Sequence, residues 1–236
     1  NFEVGQGDIF KNKATISFQS DLGYGGTQHR AFVNTPFGSF WPDAKRGNIH
    51  YFTNEGAHEE ISSLDTFNWF KQNLPFQILK DFPSLPDDIL DNTRLGLGIT
   101  MGYDARYQRV FVTKRDARVK PAYKSLISFD SNINGFTYNS GGEFPTLIEV
   151  FPNNPTYFDD YSWTRTYSPP TKSWLSFYSF KPDYYIDHYT YFQTGFMQGG
   201  LWSHLLTNKS YQVYYGTRYP FKLITALEEK YVNRLL

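Results

Sequence analysis

Hydrophobic residues along most of the chain occur in short runs, often with a period of two, and Gly, Pro, Asn and Asp separate these runs. Alternate side chains of a strand point to opposite faces of a sheet, so this pattern predicts short β-strands. In the segment from Trp174 to Phe192, nine of nineteen residues are aromatic and Lys181-Pro182-Asp183 interrupts the run. Aromatic residues suit strands and Pro-Asp suits turns, so this segment predicts a β-hairpin.

Three regions each predict a set of short antiparallel strands about as long as one β-propeller blade. They span residues 14–62, 95–138 and 173–216. In the first two regions we expect strands at 14–19, 30–34, 38–41, 48–53, 58–62, 95–102, 109–113 and 125–129. Three blades do not close a ring. We therefore expect a mainly β chain with propeller-like blades that is a fragment of a larger propeller chain, as the start at Asn1 also indicates.

One segment has helical rather than strand periodicity. Hydrophobic residues recur at intervals of three or four, at Leu64, Phe67, Phe70 and Leu74, after Ser62 or Ser63 as a possible N-cap and before Pro75. A second short helix is expected at 76–81, which gives a helical insertion over 63–82. Leu227, Tyr231 and Leu235 recur at intervals of four, which also predicts a terminal helix at 226–236.

Residues 132–170 are polar, contain Gly and Pro, and carry aromatic residues of their own. Such a composition predicts a projecting loop or arm between strands. Loops of this length usually have a function, most often in binding.

Composition excludes several classes of protein. Lys plus Arg and Asp plus Glu number 23 each, so no overall positive field attracts nucleic acid or an anionic membrane. The chain has no cysteine, which excludes disulfides, thiolate catalysis and Cys-ligated zinc. No run approaches the roughly 20 apolar residues of a membrane-spanning helix, so none is predicted.

The histidines and glycines do not match a known catalytic or metal-binding pattern. The histidines are far apart in sequence and form no H-x-x-x-H pair; they are His29, His50, His58, His188 and His204. We expect His188 to pack among aromatic residues. Gly96-x-Gly98 after Arg94 lacks the following helix and Lys-Ser/Thr of a phosphate-binding loop, which favours close backbone packing.

Two acidic patterns were considered as sites. Asp130-x-Asn132-x-Asn134-Gly135 matches the start of a calcium loop, but Gly141 stands where the bidentate Glu is needed, which favours a tight turn. Glu143, Glu149, Asp159 and Asp160 could supply the paired carboxylates of a glycosidase, but their spacing selects no pair. We therefore predict no enzyme activity, no cofactor, and no catalytic, cofactor-binding or metal-binding residue.

Several segments together resemble the muzzle proteins of crAss-like bacteriophages, which are β-propeller-bearing tail proteins similar to the nozzle proteins of other short-tailed phages. The resemblance lies in Phe37-Gly38-Ser39-Phe40-Trp41-Pro42-Asp43-Ala44-Lys45-Arg46-Gly47-Asn48-Ile49, Glu60-Ile61-Ser62, Trp69-Phe70, Gly102-Tyr103-Asp104, Val110-Phe111-Val112-Thr113, Ser173-Trp174-Leu175-Ser176-Phe177-Tyr178-Ser179-Phe180-Lys181-Pro182-Asp183 and Gly200-Leu201-Trp202-Ser203-His204. The sequence departs from the family pattern at 132–170, where family members run more directly from the strand end near Phe129 into the Ser-Trp-x-Ser element.

The resemblance implies a structural virion protein of the phage tail, made in the bacterial host cytoplasm. Its expected partners are copies of itself in a ring around the exit channel, hub or ring proteins, tail fibres, the remaining fragment of its own polypeptide, and DNA in transit. A carbohydrate-binding or glycan-cleaving module, such as a receptor-binding protein, is the alternative. A calcium-stabilised adhesion module is a third hypothesis.

Overall fold

The computed structural model describes residues 30–64, 67–141, 147–188, 191–197, 199–204 and 211–222. The strands are β1 Val33–Thr35, β2 Gly38–Asp43, β3 Asn48–Thr53, β4 His58–Glu60, β5 Gly98–Asp104, β6 Arg109–Arg115, β7 Ala117–Val119, β8 Ile127–Asp130, β9 Gly135–Asn139, β10 Leu147–Val150, β11 Phe158–Asp160, β12 Trp163–Ser168, β13 Ser173–Tyr178, β14 Tyr184–Asp187, β15 Phe192–Gly195, β16 Leu201–His204, β17 Val213–Tyr214 and β18 Thr217–Arg218. Helix α1 spans Phe67–Asn73, and short 3₁₀ helices span Ile61–Ser63, Gln77–Lys80 and Pro121–Tyr123. The prediction of a mainly β chain is confirmed.

The first predicted unit contains a four-stranded antiparallel sheet in the order β1-β2-β3-β4. Phe40 of β2 lies opposite Tyr51 of β3, and their rings stack with centroids 4.3 Å apart. Such cross-strand aromatic pairs stabilise a sheet in register. Strand β3 has the predicted bounds, whereas the strand expected at 14–19 lies outside the described residues.

The central sheet has the order β13-β12-β6-β5, and all its neighbours are antiparallel. Alternate residues of β6 face different cores: Val110 and Val112 belong to the main core, and Phe111 belongs to a second one. Burial on both faces explains why β6 reads as a nearly continuous hydrophobic run rather than an alternating one.

The second and third predicted blades do not form as expected. Within 95–138, β5 and β6 belong to the central sheet, β8 and β9 pair with each other beside β10, and β7 pairs with β11. Within 173–216, β13 joins the central sheet, while β14-β15-β16 and β17-β18 form separate sheets. Lys181-Pro182-Asp183 therefore connects two sheets and does not close a hairpin. No closed propeller is detected in the described part of the chain.

Residues 132–170 are not a projecting loop, contrary to the prediction. They contain β9 to β12, and all six residues of β12 are buried. This strand pairs with β6 on one side and β13 on the other. The insertion of β12 is the physical reason that the chain does not form the predicted succession of blades.

A helical insertion is present within 63–82, but α1 spans Phe67–Asn73, and Ser62 and Ser63 lie in the preceding 3₁₀ helix rather than at the N-cap of α1. Phe70 and Leu74 of the predicted helical stripe are fully buried, and the second helix forms as the 3₁₀ turn Gln77–Lys80. The terminal helix expected at 226–236 lies outside the described residues. In the described residues, no helix has the length and apolar character needed to cross a membrane.

Candidate functional site

A buried lysine and aspartate connect the helical insertion to the central sheet. The Lys114 ammonium donates to Asp116 Oδ2 at 2.5 Å and to the carbonyls of Asn73 and Pro75, both at 2.8 Å. Both side chains of the pair are fully buried. Burial lowers the pKa of Lys114, and the charge of Asp116 opposes that shift. All three ammonium donors are thus used on one carboxylate and two carbonyls at the end of α1.

Asp116 completes this connection from the other side. Its Oδ2 accepts a hydrogen bond from the Gln77 amide at 2.6 Å, and its Oδ1 accepts from the amides of Ile78 at 3.2 Å and Ala117 at 2.9 Å. The carboxylate therefore binds free amides at the start of the 3₁₀ turn, while the lysine binds carbonyls at the end of α1, as helix-end dipoles favour. The pair thus links the end of α1 and the 3₁₀ turn Gln77–Lys80 to β6.

Sequence reasoning missed this pair, although a signal was present. Lys114 follows Val110 and Val112 at alternate positions of β6, and both valines are fully buried. The period of two therefore places a lysine on the core face of a strand. A lysine is rarely buried without a partner, so the pattern predicts a nearby acidic residue.

A cleft of about 420 Å³ opens next to the buried pair. Its ionisable lining is Arg115, Asp116, Lys120, Asp159, Asp160 and Lys181. Asp160 accepts from Lys181 Nζ at 2.5 Å and from the Ser162 amide at 2.8 Å. Burial alone would raise the pKa of Asp160, but these hydrogen bonds and the lysine charge lower it overall. Asp160 is therefore held ionised by an ion pair and is a poor proton donor.

The carboxylates considered for glycan cleavage are not brought together as a pair. Glu149 lies on β10 and forms an ion pair with Arg94, with Oε1 2.9 Å from Nη1. Asp159 and Asp160 lie on β11, where Asp159 stands opposite Arg118 of β7. Glu143 lies outside the described residues. Of the described carboxylates, Glu149 and the two aspartates of β11 thus lie in different sheets.

Two histidines that are distant in sequence meet in the first sheet. His50 Nδ1 lies 3.0 Å from His58 Nε2 across β3 and β4. Burial lowers the pKa of both residues, and the proximity of His58 adds to the shift at His50. In the described part of the chain, no group of three or more His, Asp or Glu side chains is placed to hold a metal ion. His29 lies outside that part.

His188 and His204 both lie near aromatic rings. The ring of His188 is 6.0 Å from that of Tyr191, but His188 is exposed and is not packed in a core as expected. His204 Nε2 is 2.7 Å from the Thr194 hydroxyl, and its ring lies 5.0 Å from Phe180. Burial lowers the pKa of His204 to about 4. His204 is therefore a neutral packing residue at neutral pH.

The calcium-like motif forms the turn of the β8–β9 hairpin. Asp130 Oδ1 accepts hydrogen bonds from both the amide and the side chain of Asn132, at 2.8 and 3.0 Å. Asn134 has a positive φ of 46°, and Gly135 pairs with Asp130. These are the properties of an Asx turn, in which an aspartate replaces a backbone acceptor.

Gly96 and Gly98 lie at the start of β5. A Cβ on Gly96 would stand 3.1 Å from Arg115 Nη2, and Gly96 has a φ of 76°. Arg94 also reaches the hairpin turn, since it donates to the carbonyls of Ile133 and Asn134. The local contacts are those of close packing between backbone and side chains.

The aromatic residues of 174–192 contribute to both cores. Trp174 packs in the main core, whereas Phe180 and Phe192 join Phe111 in the second core between the central sheet and β14-β15-β16. The hydroxyls of Tyr185 and Thr113 lie 2.5 Å apart across this core. Asp183 forms an ion pair with Arg115 and accepts from the Met197 amide at 2.8 Å. The aromatic segment is therefore mainly scaffold.

Large hydrophobic side chains are exposed in the C-terminal part of the described chain. We define the C-terminal apolar surface as Ile186, Tyr191, Met197, Leu201, Trp202, Tyr211, Val213 and Phe221. Tyr211 is 93% exposed, Phe221 76% and Leu201 53%. Single exposed apolar residues are normal on a protein surface, but eight of the seventeen large hydrophobic residues exposed in the described part of the chain lie between 186 and 221, and aromatic residues and Met are enriched at interfaces.

Comparisons with protein-family models, with curated proteins and with solved structures found no match.

Proposed function

We propose that this chain is a structural subunit of the tail of a short-tailed bacteriophage. In this role it forms part of a muzzle or nozzle ring around the channel through which DNA and ejected proteins leave the virion. It acts by assembly with copies of itself and with other tail proteins rather than by catalysis. The resemblance of segments between residues 37 and 204 to crAss-like phage muzzle proteins is the source of this proposal.

The observation that carries the proposal is the C-terminal apolar surface. Trp, Tyr, Met and Leu supply large contact areas, and interfaces are enriched in aromatic residues and Met. A ring subunit buries such residues against its neighbours. The balanced charge of 23 basic and 23 acidic residues adds support, since a strongly basic channel would bind passing phosphates and retain the DNA.

The ionisable side chains of the cleft also favour a structural role. Asp160 is paired with Lys181, Arg115 with Asp183, and Lys114 with Asp116. A general acid or base needs a pKa near the working pH and access to substrate. Ion pairs of this kind instead hold strands and connecting segments together.

Sedimentation velocity of the purified full chain, followed by negative-stain electron microscopy, tests the proposal. We expect a discrete oligomer at micromolar concentration and closed rings in the images. Leu201→Glu and Phe221→Glu should dissociate the oligomer without lowering the melting temperature, because both side chains are exposed. Leu147→Glu is the matched control, since Leu147 is 66% exposed on β10 but is not part of the C-terminal apolar surface. A monodisperse monomer would contradict the proposal.

Carbohydrate binding is the second candidate, because several tyrosine and tryptophan rings are exposed. Tyr107 is 55% exposed, Tyr161 43% and Trp202 39%, and sugar rings stack on such surfaces. A glycan array with the wild-type chain and Trp202→Ala distinguishes the two functions. Binding by a monomer that Trp202→Ala abolishes would favour the carbohydrate function over the ring.

A further inference from the structure

Arg165 lies in an aromatic cage. The residue is on β12, is only 7% exposed, and is surrounded by rings from α1 and β13. Its guanidinium carbon lies 5.2 Å from the ring centre of Trp69, 5.4 Å from Phe70, 5.2 Å from Trp174 and 4.9 Å from Phe177. The rings also pack against one another, with Trp69 5.1 Å from Phe177 and Phe70 4.5 Å from Trp174. The cage is therefore a preformed unit.

Within the part of the chain that the structure describes, the guanidinium in this cage has no hydrogen-bond acceptor, unlike most buried arginines. Arg165 Nε is buried, and in the described part of the chain it donates to no acceptor. The ion pairs formed by the described residues do not include Arg165. Aromatic rings interact with the face of a guanidinium, but its five N–H donors lie in its plane and need acceptors. An uncompensated buried charge is costly.

Arg109 provides an internal comparison. It too lies over aromatic rings, with its guanidinium carbon 4.8 Å from Tyr107 and 5.2 Å from Phe111. Arg109 additionally donates to Asp104 Oδ2 at 3.0 Å and to the Tyr178 hydroxyl at 2.6 Å. Arg109 thus has a carboxylate partner in addition to its aromatic neighbours. Arg165 has no carboxylate partner among the described residues.

Two rings of the cage lie at the protein surface. Phe177 is 55% exposed and Trp69 is partly exposed, whereas Trp174 and Phe70 are buried. Both surface groups are aromatic, so the part of the cage that solvent reaches is apolar. A carboxylate fits the planar guanidinium fork through two parallel hydrogen bonds, and an apolar body next to it fits the rings.

We propose that Arg165, Trp69, Phe70, Trp174 and Phe177 form a binding site for a carboxylate that carries an apolar group. The carboxylate accepts hydrogen bonds from the guanidinium, and its apolar body packs on Trp69 and Phe177. A small organic acid and the terminal carboxylate of another protein chain share this chemistry. The proposal does not depend on the phage-tail function.

Fluorescence titration of the full chain tests this site, because Trp69 and Trp174 are two of five tryptophans. The probes are sodium acetate for a small acid and N-acetylphenylalanine for a chain terminus. N-acetylphenylalaninamide, which lacks the charge, and sodium chloride at equal ionic strength are the controls. We expect a saturable change with a Kd on the order of 1 mM for N-acetylphenylalanine, weaker binding of acetate, and no response to either control. The melting temperature should rise with ligand concentration.

Three variants identify the group responsible. Arg165→Lys keeps the charge but loses the planar fork, so binding should weaken about tenfold or more. Arg165→Met should abolish binding yet remain folded by circular dichroism, because it replaces an unpaired buried charge with an apolar chain. Arg109→Met should retain the carboxylate response, because it leaves the cage intact.

Three results would overturn the proposal. The first is an equal response to N-acetylphenylalanine and its amide, which would show apolar binding alone. The second is a carboxylate response that Arg165→Met leaves unchanged. The third is no response up to about 100 mM, a concentration well above the expected Kd. Equal affinity for acetate and N-acetylphenylalanine would contradict the packing of an apolar group on the rings and would limit the site to the carboxylate.

Discussion

Replacement of Lys114 by Met should destabilise the fold strongly. The substitution leaves the Asp116 carboxylate buried without its positive partner, and breaking one side of a buried pair costs about 3 to 5 kcal/mol. Asp116 keeps three backbone amide donors, and the Asn73 carbonyl keeps the Trp163 indole as a donor at 3.2 Å. The Pro75 carbonyl likewise keeps the Gln77 side chain at 3.2 Å. We therefore expect the lower end of the range, about 3 kcal/mol.

Urea denaturation followed by tryptophan fluorescence measures this change. The midpoint should fall while the slope stays constant, since the surface exposed on unfolding is nearly the same. For a chain of this size, about 3 kcal/mol corresponds to a fall of roughly 6 to 12 °C in melting temperature. The double variant Lys114→Met/Asp116→Asn should recover much of the loss, because it removes the second charge while the Asn side-chain oxygen can still accept from the backbone amides.

An exposed ion pair provides the matched control. Lys45 and Asp87 lie 2.9 Å apart, with side chains 77% and 73% exposed. Lys45→Met should change stability by less than about 0.5 kcal/mol. Wild-type stability of Lys114→Met would refute the reasoning, as would a double variant that is less stable than Lys114→Met alone.

Three further experiments address packing, pH and calcium. Gly102→Ala should lower the free energy of unfolding, measured by thermal unfolding, by about 1 to 3 kcal/mol, because the new Cβ would lie 2.4 Å from Tyr185 Cβ. Gly56→Ala is the control, because its Cβ would meet no atom within 4 Å and only the smaller cost of its positive φ remains. Burial lowers the pKa of His204 in the folded chain to about 4, whereas the pKa in the unfolded chain is about 6.5. Between these two pH values the unfolded chain therefore binds a proton at His204 that the folded chain does not bind. The free energy of unfolding should therefore fall by up to about 3 kcal/mol as pH decreases through this window, and His204→Gln should reduce the fall in pH-dependent urea melts; an unchanged slope would contradict this assignment. Addition of EDTA should leave the melting temperature unchanged, because Asp130 already accepts two hydrogen bonds within its turn, whereas a lower melting temperature would support a calcium site.

The sequence predicted elements better than it predicted their arrangement. Strand β3, the buried residues of α1 and the turn at Asp130 follow from side-chain period and turn chemistry, which act over a few residues. The pairing of β12 with β6 and β13 could not be predicted in this way. Its partners lie at different distances along the chain, and strand propensity does not specify the partner of a strand.

In the candidate sites, too, local sequence predicted the turns but not the contacts between distant residues. The turn at Asp130 could be predicted from its Asp, Asn and Gly residues, because they act over a few positions. The Lys114–Asp116 pair was partly visible in the alternation of β6, but its carbonyl partners are Asn73, the last residue of α1, and Pro75. The cage of Arg165 was not visible, because it needs the pairing of β12 with β13, which was not predicted, and two rings from α1, which is distant in sequence.

The sequence by itself determined that this protein is built mainly of short strands with one helical insertion, since strand and helix periods reflect local backbone geometry. Tertiary structure decided which strands share a sheet. It placed β12 in the centre and made Lys181-Pro182-Asp183 a connection between sheets, where Asp183 pairs with Arg115 of β6. The physical reason is that sheet partners, buried ion pairs and aromatic cages depend on contacts between distant residues, and only the packed chain brings these residues together.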